Sequence, residues 1–408
     1  MKRIIVFLGA IFIAFSVLAC GNDTTSVTTA VTTFEEGSLQ QILQDSGDLS
    51  LSGLVTLAQA EANASDAGAF KFYGASSRIS KGAVFFTERY GIEVECSNFS
   101  GDDTISKLVE EIGSVDDTAD IALVMNAYKV QTELIDEELV VNFDPRFLNN
   151  TFEISDEDAN PLVVYYGSKA WFYSNFDGTV ECVDNIWALT EAAFADKVTI
   201  KDFDVEMTNA NMLAMLTNEY WSGVLAAKYE SYFGSAIVLD DDCANAGYQF
   251  IKNLLANNVW GTSEGTMSAN LSSDDTEEGI YGFFAFSKWR SSSVIGANLG
   301  VVAYNDDNAG MEGFSAFLSP MYGQIVATTD RPYTSMLYIY FLMTEEGFTS
   351  SWQSKETEFG SYSANTTIAS LDGDQPLSFW KNNSVIENTE YLKEVYSNSF
   401  YDWLSNLK

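Results

Sequence analysis

The stretch from Phe70 to Val94 constrains the chain more than any other. It reads as a strand, Phe70-Lys71-Phe72-Tyr73, then a polar loop, Gly74-Ala75-Ser76-Ser77-Arg78, then a helix from Ile79 to Tyr90, then Gly91-Ile92-Glu93-Val94 as a second strand. The helical spacing puts Ile79, Val84, Phe85, Phe86 and Tyr90 near one side and leaves Arg78, Lys81, Glu88 and Arg89 for water. A loop with two serines and an arginine just before a helix leaves backbone N–H groups facing outward, an end that suits a carboxylate, a phosphate or a sugar hydroxyl. Taken alone, Ser76 or Ser77 reads first as a helix N-cap.

The pattern repeats down the chain. Ser97-Asn98-Phe99-Ser100-Gly101-Asp102-Asp103 is a polar loop leading into a helix, Thr104 to Ile112. Asp120 to Met125 is a short apolar strand of the kind buried in parallel sheets, followed directly by Asn126. Strands that each lead through a polar loop into a helix predict a doubly wound α/β sheet, with ligands outside the carboxyl ends of the strands. Ser76, Ser77, Asn98, Ser100 and Asn126 then share one rim. Pro161 to Tyr166 and Ala170 to Tyr173 read as a long strand interrupted at Gly167-Ser168-Lys169, a crossover into a second domain. That domain has a strand at Val198-Thr199-Ile200, a loop at Thr208-Asn209-Ala210-Asn211 opening a helix, and a helix from Cys243 to Asn257. A further strand, Gly282 to Phe286, ends in Ser287-Lys288-Trp289-Arg290. Phe314 to Ala327 is extended and returns the chain through Ser319-Pro320-Met321-Tyr322. An apolar helix at Tyr333 to Thr344 and a single amphipathic one from Thr389 to Leu407 follow.

The first twenty residues stand apart. Lys2 and Arg3 precede an apolar run from Ile4 to Leu18, too short and wrongly flanked for a spanning helix. Val17-Leu18-Ala19-Cys20 resembles the lipobox of bacterial lipoproteins, which implies a lipid-modified Cys20 at the start of the mature protein. Gly21 to Gly37, rich in Thr and Ser, suits a flexible tether. The expected division is a signal segment at 1–20, a tether at 21–37, a first lobe from 38 to 165, a second from 166 to 318, and a return to the first lobe with C-terminal helices over 319–408.

The 408 residues carry 58 acidic and 21 basic side chains, a formal charge of −37. Without Lys2 and Arg3, 58 acidic residues face 19 basic ones, or −39. Nucleic acid is excluded as a partner, since neutralising phosphates needs clustered Lys and Arg. With no His and no CxxC, zinc sites of ordinary His/Cys spacing are absent, and no metal or cofactor is expected. Beyond Cys20 the chain has Cys96, Cys182 and Cys243; Cys182 and Cys243 either bridge in an oxidising compartment or stay buried thiols.

With these landmarks placed, the chain from about Leu54 to its end resembles the solute-binding proteins of ABC importers, within the type II periplasmic-binding-protein fold and nearest its iron(III)/polyamine-like branch. The resemblance rests on Lys71-Phe-Tyr-Gly-Ala-Ser-Ser, Tyr90-Gly-Ile-Glu-Val-Glu, Ala119-Asp-Ile-Ala-Leu-Val and Leu134-Ile-Asp-Glu-Glu-Leu-Val-Val-Asn-Phe. Further carriers are Ile186-Trp-Ala-Leu-Thr-Glu, Asp196-Lys-Val-Thr-Ile-Lys-Asp, Phe341-Leu-Met-Thr-Glu-Glu-Gly-Phe and Gly360-Ser-Tyr-Ser-Ala-Asn. It implies two doubly wound lobes joined by crossing hinge strands, closing on a small polar or anionic solute. The chain would be a monomer, lipid-anchored on the extracytoplasmic face (periplasmic or cell-surface side) of a cell membrane, delivering solute to a permease. The expected ligand set is Ser76, Ser77, Arg78, Asn98, Ser100 and Asn126 from one side, and Lys169, Asn209, Asn211, Trp289, Arg290 and Tyr322 from the hinge and second lobe. Tyr165-Tyr166 lies at the crossover and not where the iron-binding branch places its tyrosine pair, so the two read as hinge packing.

A sensory or adhesive lipoprotein using the same fold is the alternative. Catalysis is not expected: without His no Ser–His pair exists, and Asp102-Asp103 and Asp240-Asp241-Asp242 read as loop charges. Arg78→Ala or Arg290→Ala is expected to weaken solute binding without unfolding the chain. Calorimetric affinities within about twofold of wild type in both variants would remove the anion clamp.

Overall fold

The computed structural model describes residues 37–64, 68–99, 101–114, 118–176, 178–275, 277, 279–291, 298–305, 311–356 and 358–408. Cys20, the tether before Gly37, Ser100 and the side chain of Arg290 lie outside the described residues.

The opening unit folds as its pattern demands. β1 (Phe70–Gly74) and β2 (Val94–Asn98) are parallel neighbours joined by the helix Ile79–Tyr90. The buried face of that helix is Ile79, Gly82, Ala83, Phe86 and Tyr90; Val84 and Phe85, expected inward, are exposed. The 100° step per residue explains the difference, because Phe86 and Tyr90 share a stripe that Val84 and Phe85 miss. Gly91, at φ 72°, ends the helix in the left-handed conformation that glycine adopts without strain. The helix Asp103–Ser114 leads to β3 (Ile121–Val124), buried throughout and parallel to β1.

The chain then crosses. β5 (Val163–Ser174) is one continuous strand with no break at Gly167-Ser168-Lys169. Those residues pair with Phe317, Leu318 and Ser319 of β10 (Ala316–Val326), so the ladder runs straight through the glycine. Every residue of β10 is buried. β3 flanks the C-terminal half of β10, and β8 (Tyr281–Ala285) flanks the C-terminal half of β5. Beyond β8 lie β6 (Val198–Lys201) and β7 (Asn258–Gly261), all parallel. The described strands thus form one sheet in the order β2-β1-β3-β10-β5-β8-β6-β7. Short strands β4 (Val140–Val141), β9 (Leu299–Val301), β11 (Ser361–Ser363) and β12 (Ser384–Ile386) pair at its hinge strands. This is an α/β architecture of two doubly wound lobes sharing their two crossing strands. The expected lobe boundaries, 165/166 and 318/319, fall inside β5 and β10.

Three further readings change. Thr208-Asn209-Ala210-Asn211 is not a loop: the helix starts at Met207 and buries all four. The terminal amphipathic segment is two helices, Thr389–Ser397 and Phe400–Ser405, divided at Ser399 with φ 64°. Cys182 and Cys243 are unbridged thiols, as is Cys96.

Helix packing at the first lobe depends on small residues. A Cβ on Gly347 would strike the backbone carbonyl of Phe341, whereas one on Gly223, in the helix Glu219–Phe233, meets nothing within 4 Å. Gly347→Ala is expected to cost about 1–3 kcal/mol in urea unfolding. Gly223→Ala is expected to be neutral or to add up to about 1 kcal/mol.

Candidate functional site

The carboxyl ends of β1 and β3 and the middle of β5 and β10 meet along the seam between the lobes. An inner chamber of about 480 Å³ opens there, lined by the loop Ala75 to Arg78, Asn98, Tyr165, Lys169, Ser319 and Ser361 among others. It adjoins an outer chamber of about 790 Å³, with which it shares Gly101, Lys201, Glu206, Glu264 and Lys288. Residues of both lobes line each chamber.

Arg78 dominates the first-lobe wall. Its residue is 8% exposed, and Nη1 donates long hydrogen bonds of 3.4 Å to the Trp352 carbonyl and Ser361 Oγ. Nη2 is buried with no hydrogen-bond partner among the described residues. The nearby Glu358 is committed elsewhere, to Lys81 at 2.7 Å and to the Ser354 hydroxyl at 2.8 Å. Burial pushes its carboxyl up, but those bonds and the charges of Lys81 and Arg78 bring it below its ordinary value. An unpaired guanidinium nitrogen out of water costs free energy unless a ligand answers it. Beside it the helix Ile79–Tyr90 begins without a side-chain cap. Ser76 Oγ accepts instead from the Arg78 N–H at 3.3 Å, and Ser77 is exposed at the rim.

The second-lobe wall is a charge cluster. Lys169 Nζ, on β5, lies 2.5 Å from Glu206 Oε1 and 2.8 Å from Glu264 Oε1, and donates to Asn209 Oδ1 at 2.9 Å. Lys201, closing β6, holds the other oxygen of Glu206 at 2.5 Å. Burial opposes the charge on Lys169, but the two carboxylates outweigh it and raise its pKa. Burial likewise pushes Glu206 up, and the two lysines more than reverse it, holding that carboxyl well below the usual range. Lys288 faces both chambers and forms no ion pair among the described residues. The inner chamber therefore gathers Arg78, Lys169, Lys201 and Lys288 against Glu206 and Glu264, a net +2 inside a chain of −37.

The comparisons match this geometry at the level of fold. No protein-family model and no curated protein matches the chain. Among solved structures it is similar to AfuA of Actinobacillus pleuropneumoniae, a periplasmic binding protein with fructose-6-phosphate bound, at 15% identity over 83% of this chain and 98% of that one, TM-score 0.58. It is similar to iron-bound HitA of Pseudomonas aeruginosa at 11% identity over 84% and 99%, TM-score 0.58. It is also similar to the spermidine/putrescine substrate-binding protein PotD of Streptococcus pneumoniae, in complex with calcium and HEPES, at 16% identity over 84% and 100%, TM-score 0.53. The chain has the type II periplasmic-binding-protein fold.

Within this periplasmic-binding-protein fold, Ser76, Ser77, Arg78, Asn98 and Lys169 line the inner chamber. Asn126, Asn209, Asn211, Trp289 and Tyr322 line neither chamber. Asn209 stands behind Lys169, accepting from it and donating to the Lys201 carbonyl at 3.1 Å. Asn126 and Asn211 are fully buried and bind each other, Nδ2 of Asn211 donating to Oδ1 of Asn126 at 3.0 Å. Trp289 packs on Phe286, Tyr304 and Phe359, with its indole nitrogen buried. Tyr322 is enclosed in β10. Tyr165 and Tyr166 point to opposite faces of β5, as neighbours in a strand must: Tyr165 lies on Trp352 at 4.6 Å, and Tyr166 donates to Asp158 Oδ1 at 2.5 Å. They do not converge on one point. Asp240, Asp242 and Cys243 do lie together, but Lys252 already bridges both carboxylates, at 2.9 and 2.7 Å.

Lys201, Glu206, Glu264 and Lys288 were not picked out as site residues by pattern. Lys288 had a local signal, standing at the end of a strand; Glu206 and Glu264 had none, being two acids among 58. Lys169→Met would strand Glu206 and Glu264 beside one remaining lysine. It is expected to destabilise the ligand-free protein by about 3–5 kcal/mol in urea unfolding. Lys288 is half-buried and has no ion pair among the described residues, so Lys288→Ala should stay within about 0.5 kcal/mol.

Proposed function

We propose that this chain is the solute-binding component of an ABC importer, capturing a small anionic solute in the cleft between its lobes. The observation that carries the reading is Arg78, a residue of the chamber wall whose Nη2 is buried without a hydrogen-bond partner among the described residues. An anion there would meet a charge-assisted donor, the uncapped start of a twelve-residue helix and the serine hydroxyls around it. Lys288 would approach from the other lobe, so that closing the hinge adds a second positive contact. Shutting the cleft thereby gains affinity that the open form lacks, which is what lets a permease distinguish loaded protein from empty. The binding set is Ser76, Ser77, Arg78, Asn98 and Lys169, joined by Lys288 and Ser361, with Ser100 and Arg290 retained from the sequence. Lipidation at Cys20 would hold the protein on the extracytoplasmic side of its membrane, working as a monomer beside the permease. The binding-protein character of the solved relatives supports the solute-binding role. No helix among the described residues is long and apolar enough to cross a membrane.

A thermal-shift screen of sugar phosphates, organic acids, polyamines and ferric complexes tests the charge class directly. A true anionic ligand at one hundred times its dissociation constant is expected to add about 2.7 kcal/mol of stability. Lys288→Ala should weaken that ligand about tenfold while leaving the ligand-free melting temperature in place. Stabilisation by polyamines alone would refute an anion site.

A further inference from the structure

Behind Ser319 on the wall of the inner chamber, where the lobes touch, a carboxyl is enclosed by both. Glu387 follows β12, and its residue is 8% exposed. The Asn211 amide of the second lobe donates to one of its oxygens, and Ser319 Oγ of the hinge strand donates to the other at 3.1 Å. The Ala127 N–H of the first lobe donates to it as well. Asn211 simultaneously donates to Asn126, whose own Nδ2 donates to Asp102 Oδ1 at 2.9 Å, and accepts from the Tyr396 hydroxyl at 2.6 Å. Two bonds of this network join the first lobe to the Asn211–Glu387 pair, Asn211 to Asn126 and the Ala127 N–H to Glu387 itself, so separating the lobes breaks both and admits water to Glu387.

We propose that Glu387 is a proton-sensitive latch: neutral, it favours the lobes in contact; charged, it favours their separation. Among the described residues, the groups facing it are neutral, anionic or already paired. Asp102, bound to Lys129 at 3.2 Å, presents negative charge from the first lobe. The phenols of Tyr322 on β10 and Tyr396 on the C-terminal helix are both pushed up, by burial first and then by the Glu387 charge. No cation pairs with Glu387 among the described residues. Burial therefore raises its carboxyl to about 7, against the hydrogen bonds from Asn211, Ala127 and Ser319 that lower it.

The direction follows from proton counting. If separation returns the carboxyl to its ordinary value of 4.5, the joined lobes bind the extra proton between pH 4.5 and 7. Their preference is then full at the acid end of that window and is lost as pH rises to its neutral end. Between pH 8 and pH 6 the ratio of joined to separated molecules should rise about tenfold. The latch rests on the two-lobe hinge and not on the identity of the solute, so it can be tested without one.

Small-angle scattering of the ligand-free full chain at pH 5 and pH 8 is the experiment. The wild type is expected to expand at pH 8, and Glu387→Gln, neutral at every pH, to stay compact at both. Equal expansion of Glu387→Gln would make the swelling a general effect of net charge and overturn the latch, as would a wild type of unchanged radius. Anion binding in the thermal-shift screen is unaffected by any of these outcomes, so the two readings fail separately.

Discussion

The antiparallel ladder between β5 and β10 is the interaction on which the rest of this molecule depends. From Ala170 paired with Ala316 to Tyr166 paired with Pro320, the two strands run side by side at the centre of the sheet, and residues of both line the inner chamber. Because each strand then continues into a different set of neighbours, one pair of segments belongs to both lobes. A buried ladder cannot be broken without leaving N–H and C=O groups unsatisfied, so the lobes can pivot about it but not part. The seam beside it is where loops from both sheets converge, and where backbone and side-chain polarity is least used up internally.

That seam also resolves an electrostatic contradiction. A chain of −37 should repel anions, yet its inner chamber is lined by two more cations than carboxylates. The surplus is local: Glu206 and Glu264 pair with Lys169 and Lys201, whereas Lys288 has no ion pair and Arg78 Nη2 no hydrogen bond among the described residues. Low dielectric strengthens what remains, whereas the surface carboxylates act through water and salt and fade over about 10 Å. The same enclosure works on the opposite sign behind the cleft, where burial without a cation raises Glu387. Both effects come from the lobes meeting.

Much of the fold was legible along the chain. The Phe70–Val94 unit, the apolar strand Ile121–Val124 and the returning strand Ala316–Val326 carry period and punctuation strong enough to name, and their order points to the lobed architecture. The errors were local and had physical causes. Gly167 reads as a break, but the partner strand β10 supplies the pairing that keeps β5 straight. Thr208 to Asn211 reads as a polar loop; in place, Asn209 and Asn211 spend their amides on Lys169, Lys201, Asn126 and Glu387, so polar residues sit at no penalty inside a helix.

What the sequence determined by itself is the alternation of strand, loop and helix, and with it the rim on which Ser76, Ser77 and Arg78 stand, since both follow from the spacing of neighbouring residues. Only the tertiary structure decided which charges are cancelled. Lys169 and Glu206 are 37 positions apart and Asn211 and Glu387 are 176, and nothing in a one-dimensional pattern tells a paired lysine from an unpaired one. Whether a polar group serves a ligand or another side chain depends on who is within about three ångströms once the core has closed, and hydrophobic burial, not the polar groups themselves, chooses those neighbours.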